Sequence, residues 1–384
     1  MRLRPELAAE SAAIRGRIAA RATAGARPNP ALTVTPEHVS RTDAPISWSL
    51  GVALDLLCWQ GERRERQLAI ADQEITIAWL ERSRTIWRIY SEVRDAATQR
   101  GFAERELELS RQQQELAARL AALVATRVAA GAASRGERSA AELAAGRAEL
   151  EIARSAAQLE QATARLAAAV GVAPAELARH RLALADVAAP LEAELPVADA
   201  ADRLDLRVTL AEYEAAERQI ELEVAKQWPE LHLGPGWQYD QGERHFQLAV
   251  GVELPLFDRN EGPIAAAVAR RDAVAARFRM QQAAALAAMD EARASLAAAR
   301  AERTLLAKLQ LEQARRERQA SRQVASGAAD RPQEIETRQA GVELAREQLA
   351  ADRALAAAVA QFEEARQRPL DPRWNSTELE PIDG

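Results

Sequence analysis

The sequence predicts a mainly α-helical protein with a small β part, in which one structural unit is used twice. Three observations carry that prediction. Of the 384 residues 48% are apolar and only 4% aromatic, so the apolar content is Ala, Leu and Val on a background that is 28% charged, the balance of long helices. Two segments alternate strictly between apolar and polar residues. Finally, the chain matches itself at a nearly constant offset.

The self-match has three blocks. Residues 47–57 lie over 247–257 at an offset of 200, matching at glycine, valine and two leucine positions. Upstream, Asn29-Pro30-Ala31-Leu32 lies over Trp228-Pro229-Glu230-Leu231 at 199, and downstream Val128–Ala133 lies over Val324–Ala329 at 196. The first unit is read as 1–195: a helix over about 5–25, a β-hairpin over 30–57, a long helical hairpin over 60–169 turning near 131–136, and a connector over 170–195 broken by Pro174 and Pro190. The second is read as 196–368: a helix from about 198 to 227, a β-hairpin over 229–257, and a helical hairpin over 262–367 turning near 327–332. A polar tail, 369–384, is predicted to be irregular.

The strands follow from period two. Ile46, Trp48, Leu50, Val52, Leu54 and Leu56 alternate with Ser47, Ser49, Gly51, Ala53 and Asp55. In the second unit Phe246, Leu248, Val250, Val252, Leu254 and Leu256 alternate with Gln247, Ala249, Gly251, Glu253 and Pro255. Such segments approach the ~9–11 residues that a tilted strand needs to cross a bilayer, and Trp48, Trp59, Trp237, Tyr239, Phe246 and Phe257 fall near the strand ends, where aromatic side chains meet a membrane interface. Four strands cannot close a barrel, and open edges are not tolerated in hydrocarbon. Several chains must then share one barrel, and three copies supply twelve strands. The competing reading is a soluble coiled-coil scaffold or adaptor whose strands pack on its own helices.

From about Gly61 to Ala130, and again from Gly262 to Ser326, the chain is almost continuously helix-forming; ~70 residues make a rod of roughly 100 Å. Gly101 is expected to be tolerated as a break or bend. The returning helices are about half as long. Gly131 and Gly327 suit the left-handed position that ends a helix, Ser134 and Glu137 have the spacing of a capping box, and Asp330 is the expected cap of the last helix, with Pro332 just inside it.

Other classes are disfavoured. The formal charge of -6 gives no basic excess for nucleic acid. No run of about 18 apolar residues suggests a transmembrane helix. The single cysteine, Cys58, excludes an internal disulfide, and His38, His180, His232 and His245 have no metal-ligand spacing. No cofactor loop or nucleophile arrangement is present, so no enzyme activity is predicted.

With these residues in view, the chain resembles the outer-membrane efflux family typified by TolC, closest to the channels of cobalt-zinc-cadmium (CzcC-type) exporters. The resemblance spans about residues 5–368. It rests on Pro28-Asn29-Pro30-Ala31-Leu32, on Val252-Glu253-Leu254-Pro255-Leu256-Phe257-Asp258-Arg259-Asn260 followed by Ile264, and on Gly131-x-x-Ser134-x-x-Glu137 with Ala141-Glu142. It implies a homotrimer whose four strands per chain complete a twelve-stranded barrel in outer-membrane lipid, continued by an α-helical barrel of coiled hairpins through the periplasm. It implies partners too: a periplasmic adaptor (membrane fusion) protein at the hairpin tips and an inner-membrane pump, RND-type, with heavy-metal cations as cargo. The resemblance also implies a cleaved export signal, and Met1–Gly25 departs from it by lacking the apolar core of one.

The candidate residues are accordingly Gly131, Ser134, Arg135, Gly327, Asp330 and Arg331 at adaptor-facing tips; Asp330 and Glu334 as an acidic ring at the periplasmic entrance; and Gly51, Leu54, Leu56, Gly251, Leu254, Pro255, Leu256 and Phe257 as the barrel-strand motif. Strand parity puts His232 on the polar face.

Overall fold

The computed structural model describes residues 4–27, 29–39, 47–55, 57–59, 62–177, 179, 202–240, 242–252 and 254–370. Its elements are α1 (Pro5–Ala24), β1 (Ala31–Val39), β2 (Ser47–Asp55), β3 (Leu57–Trp59), α2 (Arg63–Ala129), α3 (Arg135–Val170), α4 (Pro174–Leu177), α5 (Leu204–Ala225), β4 (Leu231–Asp240), β5 (Glu243–Val252), α6 (Glu261–Ala325) and α7 (Arg331–Arg366). No helix among the described residues is long and apolar enough to cross a membrane. The chain packs as two compact units that each draw on both halves of the sequence: residues 8–83 with 204–282, and residues 1–7 with 84–203 and 283–384.

The first of these, the sheet unit, contains every strand. The order is β1, then β2 and β3, then β4, then β5, antiparallel throughout. Strands β1, β2, β4 and β5 are 9 or 10 residues long. β2 and β3 lie on the same side of β4, but their registers differ. Between the pairs Ala53↔Gly236 and Leu57↔Leu233, three positions on one strand oppose two on the other. The register against β4 thus shifts by one residue between β2 and β3. The doublet Leu56-Leu57, at which the alternation slips, is its sequence trace.

β5 differs from expectation at both ends. A two-residue turn with Gly242 at φ 96 pairs Asp240 with Glu243, so the strand starts at Glu243. It stops at Val252, because Pro255 cannot donate to a ladder. Leu254, Pro255, Leu256 and Phe257 therefore lie outside the strand, in a tight turn closed by the Leu256 N–H to the Leu254 carbonyl at 2.8 Å. Leu56 and Glu253 are outside the described residues.

In the other, the hairpin unit, α2 and α6 are the long outgoing helices, of 67 and 65 residues, and α3 and α7 the returning ones, of 36 each. α2 passes Gly101 without a break. Lateral contacts set the order α3, α2, α7, α6. Ala141, Ala148, Ser155 and Ala162 recur every seven residues as the buried stripe of α3, and the Ser155 hydroxyl meets that of Ser110 on α2 at 2.9 Å. Small residues at this seam allow close helix approach. α2 meets α7 through polar groups: Trp87 Nε1 donates to Glu364 at 2.7 Å, Arg94 is ion-paired with the buried Glu363, and Arg346 stands 3.5 Å from Glu106. α7 meets α6 in the largest apolar cluster, Met289, Ala292, Leu296, Leu355, Val359 and Phe362 among its members. Gly171, at φ 85, ends α3, and α4 is a single turn in the connector.

Candidate functional site

Two surfaces take on functional interest, one in each unit. In the sheet, directly paired residues share a face, so the register sorts the side chains. Leu32, Val34, Leu50, Val52 and Leu54 join Leu231, Leu233, Trp237, Tyr239, Phe246, Leu248, Val250 and Val252 on one face. The other carries Thr33, Thr35, Glu37, Ser49, Gly51, Ala53, His232, Gly236, Gln238, His245, Gln247 and Gly251. The apolar face is uncovered: Phe246 is 83% exposed, and Leu32, Val34, Leu248 and Val250 are exposed too. Among the described residues β1 pairs only with β2 and β5 only with β4. The sheet thus has two free edges and one bare apolar face, an arrangement that soluble proteins avoid.

Aromatic residues bracket that face. Trp237 stacks on Tyr239, centroids 6.4 Å apart, near the β4–β5 turn. Toward the helices Trp228 is 74% exposed and Phe257 fully so. Trp228 was not singled out by the alternation, because it precedes the strand; its place beside the Pro229-Glu230 strand start was the available signal. Arg63, at the start of α2, donates to the carbonyls of Ala225, Lys226 and Trp228 and pairs with Glu230. It thereby binds the last carbonyl of α5 and two just beyond the helix end, where backbone acceptors lack helical partners. Asn260, at φ 58, donates to both the carbonyl and the carboxylate of Glu223. Burial raises the Glu223 pKa, but hydrogen bonds from Lys226, Asn260 and Gln219 outweigh it and leave the group below the ordinary glutamate range.

The second surface is the pair of hairpin tips, and both glycines behave as the sequence predicts. Gly131 (φ 73) and Gly327 (φ 72) are left-handed, and in each turn the following residue donates back five positions, Ala132 to Arg127 and Ala328 to Gln323, both at 2.8 Å. Ser134 forms the capping box: Glu137 N–H donates to its hydroxyl at 3.2 Å, and its own N–H donates to the Glu137 carboxylate at 2.6 Å. Those bonds hold the Glu137 pKa below its ordinary value.

Asp330 departs from expectation. It occupies the cap position of α7, but its side chain makes no capping bond. A cap accepts from the second or third helical N–H, and the second residue is Pro332. The carboxylate, 79% exposed, lies 3.9 Å from Arg127 at the end of α2, which sets the two tips at one level. Glu334 is half-buried, receiving Arg338 at 2.7 Å and Ser321 at 2.8 Å. Of the proposed acidic pair, Asp330 alone presents its charge outward. Arg135 and Arg331 are exposed at the tips. Among the described residues no group of three or more His, Cys, Asp or Glu could hold a metal ion; His232 stands 3.7 Å from Glu230 and His245 3.6 Å from Glu243.

Residues 2–172 match the family model of the outer membrane efflux protein. No curated protein matches the chain by sequence. Solved structures of outer-membrane channel proteins match nearly the whole chain. The outer membrane protein VceC of Vibrio cholerae aligns at TM-score 0.73 and 18% identity over 96% of this chain and 94% of that one. The MtrE outer membrane channel of Neisseria gonorrhoeae, in its open state, aligns at 0.71 and 16% over 95% and 86%, and CusC at 0.74 and 13% over 95% and 89%. At these identities the likeness establishes the fold, mostly helical with a small antiparallel sheet.

Proposed function

We propose that the chain is the outer-membrane channel of a tripartite efflux system: a homotrimer in which three four-stranded sheets close a twelve-stranded barrel, continued by the helical hairpins into the periplasm. The observation that carries this reading is the sheet with two free edges and an uncovered apolar face. Joining β1 of one copy to β5 of the next removes every edge, and lipid covers the face. The outer membrane efflux protein match over residues 2–172 supports the same reading. The soluble-scaffold alternative requires that face to be packed on the protein's own helices, and Phe246 and Leu248 are exposed instead.

In this reading the tips, with Gly131, Ser134, Arg135, Gly327, Asp330 and Arg331, meet a periplasmic adaptor, and an RND-type inner-membrane pump supplies the cargo. Asp330 is the acid of an entrance ring. Such a duct performs no chemistry. Heavy-metal cargo rests on the sequence resemblance alone.

The test uses the full chain with Cys58→Ser, leaving Thr35→Cys on β1 and Gln247→Cys on β5 as the two thiols. A bis-maleimide should yield covalent trimers from detergent-solubilised membranes, and the protein should conduct ions in planar bilayers. A water-soluble monomer with neither property overturns the proposal.

A further inference from the structure

Among the described residues, the helical order α3, α2, α7, α6 leaves two outer faces near the tips without a neighbouring helix, one on α3 over residues 139–153 and one on α6 over residues 308–322. Two residues along a helix turn the direction by about 200°, so residues two beyond a buried stripe point away from it. On α3 the buried stripe of Ala141 and Ala148 leaves Leu143 and Leu150 pointing outward, and both are at least half exposed. On α6, Gln313 and Ser321 bond to α7, so Arg315 points the other way.

These outer faces have matching spacings. Ser139, Leu143, Gly146, Leu150 and Ala153 stand 5, 9, 12, 16 and 19 residues after Ser134, where α3 is capped. Arg322, Arg318, Arg315, Leu311 and Lys308 stand 5, 9, 12, 16 and 19 residues before Gly327, where α6 ends. Alternating steps of three and four are the seam of a coiled coil. Arg127 and Asp330 lie 3.9 Å apart, which places both turns at one level, so the two stripes coincide in height when α3 and α6 lie antiparallel. One stripe offers small residues and two leucines, the other four cations and Leu311, itself 64% exposed. Flanking the α3 stripe at the heights of its leucines are Glu142 and Glu149, both exposed. Glu142 is held only by Arg138, an exposed pair four residues apart, which binds weakly.

We infer that the α3 face is the docking surface for α6 of a second copy, Leu150 packing on Leu311 and Glu142 and Glu149 meeting Arg318 and Arg315. The small residues Gly146 and Ala153 make room for the long arginine and lysine stems. The contact is heterologous, as ring closure requires. This inference rests on the trimeric reading above and adds the side chains that set the helical register between copies.

The test again uses the Cys58→Ser chain. Leu150→Cys and Leu311→Cys on the same chain should give, on oxidation, a disulfide-linked ladder ending at the trimer; placed on separate, size-tagged chains they should give only mixed dimers. The β1–β5 pair described above is cross-linked in parallel. Edge trimers without a Leu150–Leu311 link overturn the inference while leaving the trimer standing; loss of both overturns the trimer and the inference together. Arg315→Glu with Arg318→Glu should reduce the α3–α6 link at least about tenfold through like-charge contact, and adding Glu142→Arg with Glu149→Arg should restore it. An undiminished link, or no restoration, overturns the charge pairing.

Discussion

Hairpin α2–α3 and hairpin α6–α7 close with the same backbone turn and stabilise it by different means. At the first, Gly131 ends one helix and the reciprocal bonds of Ser134 and Glu137 start the next. At the second, Gly327 does the same work, but Asp330 leaves the helix N-terminus uncapped and turns toward Arg127. The seams beneath differ as well. α3 lies on α2 through alanines, a buried serine pair and, at its base, Leu166 against Val93, Ala96 and Ala97, whereas α7 lies on α6 through Leu296, Leu355, Val359 and Phe362. The glycine turn is thus a shared geometric requirement, and the capping, the core and the outer charge vary around it. Both hairpins have an apolar base, the larger one in α6–α7, and the first alone adds a closed capping box at its tip.

The largest effect that would sharpen this contrast is at the base. Phe362 is fully buried, and Phe362→Ala should cost about 3–5 kcal/mol by removing a large core side chain and leaving a cavity. Ser155→Ala in the other hairpin should cost roughly 1 kcal/mol, because the buried Ser110 hydroxyl then keeps only the 3.4 Å bond from Arg346. Denaturant midpoints followed by circular dichroism read both. Equal costs would mean that the two seams are energetically alike.

At the tips the order reverses. Ser134→Ala removes a working cap and should cost about 1 kcal/mol. Asp330→Ala removes a carboxylate that caps nothing, so its attraction to the helix dipole and its exposed 3.9 Å contact with Arg127 are lost, together ~0.3–1 kcal/mol and falling with salt. Hydrogen exchange in the first turns of α3 and α7 separates the two. A larger loss for Asp330→Ala would show that its contact with Arg127, rather than capping, governs the second tip.

Much of this was legible in the sequence, for reasons that particular residues make plain. Gly131 and Gly327 are readable because almost only glycine suits a left-handed turn, and Ser134 with Glu137 because the capping box is a local motif. The sheet faces are readable because alternation survives any register. What failed was non-local or subtractive. Asp330 reads as a cap, but its carboxylate turns toward Arg127, a residue of another helix. β5 reads as extending to Leu256 because alternation continues past Val252, although Pro255 cannot pair. The register shift between β2 and β3 needs the partner strand, and only the doublet at Leu57 hints at it. The α6 stripe of Lys308, Leu311, Arg315, Arg318 and Arg322 has visible heptad spacing, but its outward direction follows only once Gln313 and Ser321 are placed against α7.

The smallest expected effect is also the most specific to one tip. The Glu137 carboxylate accepts the Ser134 N–H in the folded chain, which lowers its pKa from the ordinary glutamate value. A group whose folded pKa is depressed stabilises the fold fully above its unfolded pKa and loses that contribution as pH falls through the folded value. The first turn of α3 should therefore loosen as pH drops below the usual glutamate range, while the first turn of α7, with no such box, supplies the reference. The measurement is the ratio of amide protection over residues 135–138 to that over residues 331–334 across an acid series, since intrinsic exchange rates divide out. The ratio should fall on acidification in the native chain and stay flat in Ser134→Ala. A ratio that falls equally in both would assign the acid sensitivity to something other than the capping box.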